Sequence, residues 1–317
     1  MLTAELRQAI TAAADRPDAD PLLRPGPQPG SYASSLPFRL DQPAATALAA
    51  RLATEPWIDK ADLTGPGYLT ITVTHDALAG LAVRIARAGP ACAASDALLG
   101  RTVAGPPDSD PAAAPDWPSA RAALAAQLTA RLAATAGATV TFYAERTVPP
   151  PPAPAAPLPA AIAYSGLDAV RFALARMPPG GVPPRAAVVA RQVLGNPAYA
   201  VRYAHAAAAA VLRWAAMLGR WPAGFKPRLL VGPAELALLD ALSWLPERVA
   251  MAARRGRPDE FAGYLEELAA RTIDTMSTTG FTMIPTISSE RLWLAAAART
   301  GLAAGLGLLG IGAPERI

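Results

Sequence analysis

One stretch limits the folds open to this chain more than any other, the run from Arg291 to Ile317. It reads Arg-Leu-Trp-Leu, four alanines, Arg299 and Thr300, then Gly301, Gly305, Gly307 and Gly310 spaced among leucines and alanines. A helix that is apolar all round has to be covered all round. Ser288 or Ser289 can cap its N-terminus, and the glycines stop it before a short hook ending Pro314-Glu-Arg-Ile317. The run is long enough to raise a membrane span. Arg299 near its centre would cost about 2.5–3.5 kcal/mol on insertion and the glycines interrupt the helix, so a core helix is the better reading.

A helix of that kind needs partners, and 317 residues leave room for them in about two compact units. Alanine supplies much of the 52% hydrophobic content, so that figure overstates the quality of the core. Lys60 and Lys226 are the only lysines, and arginine carries the remaining positive charge. The charge is unevenly spread: residues 161–228 hold nine basic side chains against the single acid Asp168. Either a polyanionic partner or a solvated arginine face accounts for that imbalance. The lone Cys92 excludes an internal disulfide and a cysteine-based metal cluster. His75 and His205 lie too far apart in sequence to suggest zinc. No leader-like segment precedes the first amphipathic helix, so a cytoplasmic protein with no membrane partner is expected.

Residues 1–89 read as a small α+β domain. Leu2, Leu6 and Ile10 recur at helical spacing, Asp41 and Pro43 open a second helix, and 57–63 and 68–74 read as strands. Residues 25–30 read as a loop, and Asp76 as the cap of a helix that Gly89 ends. Residues 90–160 read as linkers around a helix–strand remnant at 119–146, with Leu124, Leu128 and Leu132 on one helix face. The proline tract 149–159 favours extended polyproline II, either as a spacer or as a ligand for a proline-reading domain. Residues 161–317 read as an all-α bundle broken at Pro/Gly pairs. Asn196 caps its longest helix with Pro197 at the first position, and another helix runs from Glu260 to about Ile273.

Several ordered motifs resemble the arginyl-tRNA synthetase family. Gly30-Ser-Tyr32-Ala-Ser34-Ser-Leu-Pro-Phe38 and Gly65-Pro-Gly-Tyr68-Leu-Thr70 resemble motifs of that family's additional N-terminal domain. Asp168-Ala-Val-Arg171 resembles the Asp-Ala-Leu-Arg segment of its anticodon-binding domain. Asn196-Pro-Ala-Tyr199-Ala-Val-Arg202-Tyr203-Ala-His205-Ala, Pro258-Asp-Glu-Phe261-Ala-Gly-Tyr264-Leu265 and the closing Pro-Glu-Arg-Ile317 follow in the family's order.

The resemblance implies a multidomain α+β chain whose C-terminal helices bind an anticodon. It also implies that Tyr68 and Thr70 meet an unpaired base of the tRNA elbow, an aromatic face and a polar group being the usual means. Tyr199, Arg202, Tyr203, Arg316 and Ile317 become candidates for the anticodon arm, and Arg213, Arg220, Lys226 and Arg228 for its phosphates. Departures accompany these matches: Thr70 replaces an asparagine, Ala200 a tyrosine, Ala207 an arginine and Ile317 a methionine. Aligning 116–146 with the start of the family's catalytic domain puts Asp116 and Ser119 where it has signature histidines. An aspartate there would repel ATP phosphates, and neither lysine sits in a Lys-Met-Ser-Lys element. The expectation is therefore a non-catalytic protein with no cofactor that binds tRNA, tRNA-Arg being the first candidate. The alternative is a protein-interaction module docking another synthetase or a translation-related protein.

Overall fold

In the computed structural model, which describes residues 2–16, 19–65, 67–106, 114, 116–142 and 158–317, side-chain caps set several helix starts. α1 (Leu2–Ala13) leads to β1 (Leu23–Pro25) and β2 (Ser31–Ser34). Asp41 accepts from the Ala44 N–H and opens α2 (Gln42–Leu52), as expected. β3 (Ile58–Thr64) and β4 (Tyr68–Val73) follow. The next cap is Thr74 rather than Asp76. Its hydroxyl accepts from Ala77, and Gly80 divides α3 (His75–Ala79) from α4 (Leu81–Ala88).

The four strands form an antiparallel sheet in the order β1-β2-β4-β3. β1 and β2 flank what reads from sequence as a plain proline loop. On β4 the alternation is clean: Leu69, Ile71 and Val73 are buried, while Tyr68, Thr70 and Thr72 stand on the other face.

The middle segment is a βαβ unit. β5 (Thr102–Gly105) pairs in parallel with β6 (Thr139–Phe142), and α5 (Trp117–Thr135) crosses over between them. β5 is absent from the sequence reading because its four residues adjoin a proline-rich stretch. α5 starts earlier than Ser119, since Asp116 accepts from the Ser119 N–H and caps it. Residues 143–157, with most of the expected polyproline tract, lie outside the described residues, as does most of the linker between β5 and α5. Pro159 belongs to a helix rather than a linker.

Helices make up the remainder: α6 (Leu158–Ser165), α7 (Leu167–Arg176), α8 (Ala186–Val189) and α9 (Pro197–Met217). These are followed by α10 (Pro233–Ser243), α11 (Leu245–Arg255), α12 (Pro258–Met276), α13 (Thr279–Thr282) and α14 (Ser289–Leu308). Ser288 is the residue that caps α14, accepting from Arg291. α14 packs against α9, α12 and α10 of the bundle and against α4 of the N-terminal unit. Three of the glycines expected to interrupt it, Gly301, Gly305 and Gly307, lie inside α14, and only Gly310 follows its end. Gly301 and Gly305 instead allow close approach, a Cβ on Gly305 falling 2.3 Å from Leu265 Cδ2. Among the described residues no single helix is long and apolar enough to cross a membrane.

The N-terminal unit is docked directly on the bundle, and their buried apolar residues form one cluster. Tyr32, fully buried, donates from its hydroxyl to Ser243 Oγ at 2.8 Å and lies 5.3 Å from the Trp244 ring. Burial holds that hydroxyl well above the ordinary tyrosine pKa. Thr3 donates to Ser243 O (2.8 Å) and the Gly30 N–H to Asp240 Oδ1 (2.9 Å). Beside them Arg7 bridges Glu247 at 2.6 Å and Asp20 at 2.7 Å, and Arg254 reaches Asp20 at 2.8 Å. Burial alone would raise the Asp20 pKa, but hydrogen bonding and charge from Arg7 outweigh it and hold the carboxyl below its ordinary 3.8.

This ionic cluster makes two measurable contributions. Glu247 is 3% exposed, so Glu247→Gln removes one partner of a buried pair and is expected to cost about 3 kcal/mol in chemical denaturation. A carboxyl with a depressed folded-state pKa stabilises above its unfolded value. The Asp20 contribution is therefore complete above about pH 5 and lost as pH falls through the folded value, a dependence that Asp20→Asn abolishes.

Candidate nucleic-acid interface

α9 supplies the spine of the candidate interface. Asn196 accepts from the Ala198 N–H, and its amide donates to Val189 O and Arg191 O, so the cap is tied to the preceding loop. Helical spacing then places Tyr199, Tyr203, Ala206, Ala207, Ala210 and Trp214 along one stripe. The rings of Tyr199 and Tyr203 stack with centroids 5.8 Å apart and planes at 26°.

Beyond Tyr203 the stripe becomes the floor of a groove of about 480 Å³. Ala206, Ala207 and Ala210 form the floor, Tyr203 and Trp214 stand at its ends, and Ile273 and Met276 of α12 form one wall. Glu315, Arg316 and Ile317 close the other side. Ala207, one of the departures noted above, leaves open the space that a longer side chain would occupy. Trp214 is 53% exposed and Ile317 54%, so aromatic and aliphatic surface faces solvent beside two arginines, Arg213 and Arg316.

The hook is held from several directions. His205 Nδ1 lies 2.8 Å from Pro314 O, Arg213 donates to Glu315 O at 2.7 Å, and Arg299 approaches the Glu315 carboxylate at 3.5 Å. Burial pushes the His205 pKa below 6.5, against the opposing pull of Pro314 O and Glu315, so the imidazole is largely neutral at pH 7. Gly310 ends α14 at φ +69, and a Cβ there would lie 2.7 Å from Arg171 Nε. The left-handed conformation thus calls for glycine, and a Cβ would also displace the Arg171 guanidinium. Arg171 donates to Leu309 O at 2.9 Å and to Gln127. Asp168 and Arg171, one helix turn apart, face different groups: Asp168 Oδ2 is 3.9 Å from Arg202 Nη2. The Asp168–Arg171 segment is thus the seat of the hook.

The structure brings Tyr203, Arg213, Arg316 and Ile317 together at the groove, and Tyr199 stacks alongside. Arg202 turns away toward Asp168, and its buried Nε finds no acceptor among the described residues. Arg213 spends one donor on the hook. Arg220, Lys226 and Arg228 are exposed on the segment after α9, near Trp221, which is 65% exposed. That segment touches the N-terminal unit where His75 Nε2 lies 3.0 Å from Pro227 O.

Tyr68 and Thr70 belong to the sheet and do not line the groove. Tyr68 meets the exposed Phe38 edge-on at 4.9 Å, forming a small aromatic patch. The Thr70 hydroxyl is engaged with that of Thr64 at 2.7 Å. Trp214 is the residue sequence reasoning missed. A signal existed, since eleven residues after Tyr203 is three helical turns and returns to the same face. Ile273 and Met276 gave none, because their position depends on how α12 crosses α9.

With this geometry in view, comparisons with known proteins point one way. The model of the family described as the DALR anticodon binding domain matches residues 201–317. The arginine–tRNA ligase of Clavibacter sepedonicus is 39% identical over 158 residues, covering 48% of this chain and 28% of the ligase. That of Kineococcus radiotolerans is 37% identical over 159 residues, covering 48% and 29%. The matched stretch thus spans under a third of the length of these relatives. Among solved structures, Thermus thermophilus arginyl-tRNA synthetase superposes with a TM-score of 0.69 at 16% identity, covering 100% of each chain, a likeness of fold. The C-terminal helices that form the groove match the DALR anticodon binding domain, and the chain is related to the arginine–tRNA ligases.

Proposed function

We propose that this protein is a non-catalytic, cytoplasmic tRNA-binding protein that grips the anticodon arm in the α9 groove. The observation that carries the reading is the groove itself, open at Tyr203 and Trp214, floored by alanines and edged by Arg213 and Arg316. An unpaired base needs an aromatic face to stack on and cations for its phosphates, and both are within one groove here. Arg220, Lys226 and Arg228 extend the cationic track, with Trp221 among them. The exposed Phe38–Tyr68 patch is the candidate contact for the tRNA elbow. Thr70, its hydroxyl already paired, would contribute less to base selection there than a free amide. The non-catalytic part of the reading is supported by Asp116, whose carboxylate caps α5 where the resemblance calls for a phosphate-stabilising histidine.

A second reading has its own observation. Trp214, Met217, Leu218 and Trp221 are all more than half exposed at the end of α9, an apolar patch suited to a protein partner. A pull-down with and without nuclease separates the two, because partners held through RNA vanish on digestion and direct protein contacts survive.

For the RNA reading, Trp214→Ala is expected to weaken tRNA binding by about 1–3 kcal/mol while leaving the unfolding transition unchanged, as read by filter binding and thermal melts. With about four phosphates contacted, log K should fall against log salt with a slope near −3, and replacing Arg220, Lys226 and Arg228 together by Gln should bring it close to −1. A flat salt dependence of the native chain would sink the proposal.

A further inference from the structure

A second cavity, of about 220 Å³, lies where the Pro25–Pro29 loop of the N-terminal unit faces α10, α11 and α12. Its volume is below the roughly 300–1,000 Å³ typical of drug-sized sites, which restricts any occupant to a small molecule. Its lining carries both signs of charge, Arg248 and Arg271 against Asp240 and Glu267. Arg248 stands over the rings of Trp244 and Tyr264 at 5.8 and 5.9 Å, makes no ion pair among the described residues, and leaves its buried Nε without an acceptor. Trp244 is 3% exposed, and its indole N–H is also without an acceptor among the described residues. Asp240 uses only Oδ1, to receive the Gly30 N–H, and burial holds its carboxyl above the ordinary carboxylate range.

Arg248, which has no ion pair among the described residues, and Asp240, whose Oδ1 alone is engaged, thus offer one cationic and one anionic partner to an occupant, and hydrogen bonds to charged groups are the strong ones. A simple anion would meet Arg248 but be repelled by Asp240 and Glu267, and a simple cation would leave Arg248 unpaired. We propose that this interdomain cavity binds a free amino acid or an equally small zwitterion, its carboxylate on the Arg248 guanidinium and its ammonium on Asp240 and Glu267. Both domains contribute walls, so an occupant also strengthens their docking, and the site is independent of the RNA groove.

The test is a thermal-melt and calorimetric screen of the full chain, without RNA, against the twenty amino acids at about 10 mM, with acetate, methylamine and inorganic phosphate as probes of the single charges. At least one amino acid should raise the melting temperature in proportion to the logarithm of its concentration, and the single-charge probes should not. Arg248→Gln, and Glu267→Gln on the exposed side of α12, should each weaken the affinity about tenfold, the loss expected for one charge-assisted contact. Absence of any amino-acid response, an equal response to acetate or phosphate, or an unaltered response in both variants overturns the proposal.

Discussion

The need to bury the apolar length of α14 organises this molecule. Its buried face includes Leu292, Leu294, Ala298, Leu302 and Leu306, and small residues on its other sides let neighbours come close. A bundle of α9, α10 and α12 covers part of it, and α4 of the N-terminal unit covers another part. Sharing one central helix merges two units of different architecture into a single core. The hook that closes the groove leaves the end of that same helix, so groove geometry follows from α14 packing and from the Arg171 contact with Leu309 O.

Much of the local structure was legible because it rests on short-range chemistry. Asp41, Asn196 and Ser288 cap helices as their positions suggest, and the alternation of β4 reports its buried face. Readings failed where a neighbour in space decides. β1 and β2 are too short to show a period, and they exist because β4 pairs with β2 and β2 with β1. Thr74 takes the cap instead of Asp76 because α3 begins at His75, two residues after β4 ends at Val73. At the candidate interface, the resemblance led to Tyr203, Arg316 and Ile317 because they sit at motif positions. It could not reveal that Arg202, about 100° around the helix from Tyr203, is directed at Asp168.

One residue at the interface both holds the hook and faces the groove. Arg213 lines the groove and also fixes Glu315 O, so its loss would unseat the hook as well as remove a charge. Trp214 has no such second duty among the described hydrogen bonds, which makes it the cleaner probe of the groove. The Tyr32 motif shows the opposite case. Placed by resemblance in a domain expected to face RNA, the Tyr32 side chain itself is fully buried against Ser243 and Trp244.

That contact joins residues 211 positions apart, and Thr3 meets Ser243 across 240. At a synthesis rate of 5–20 residues per second, the N-terminal unit would wait roughly 10–40 s for the surface it is built to meet. Through that interval Leu2, Leu6 and Tyr32, all fully buried at the end, lack part of their cover. The interface that gives the finished molecule a single core thus makes the growing chain dependent on its own late half.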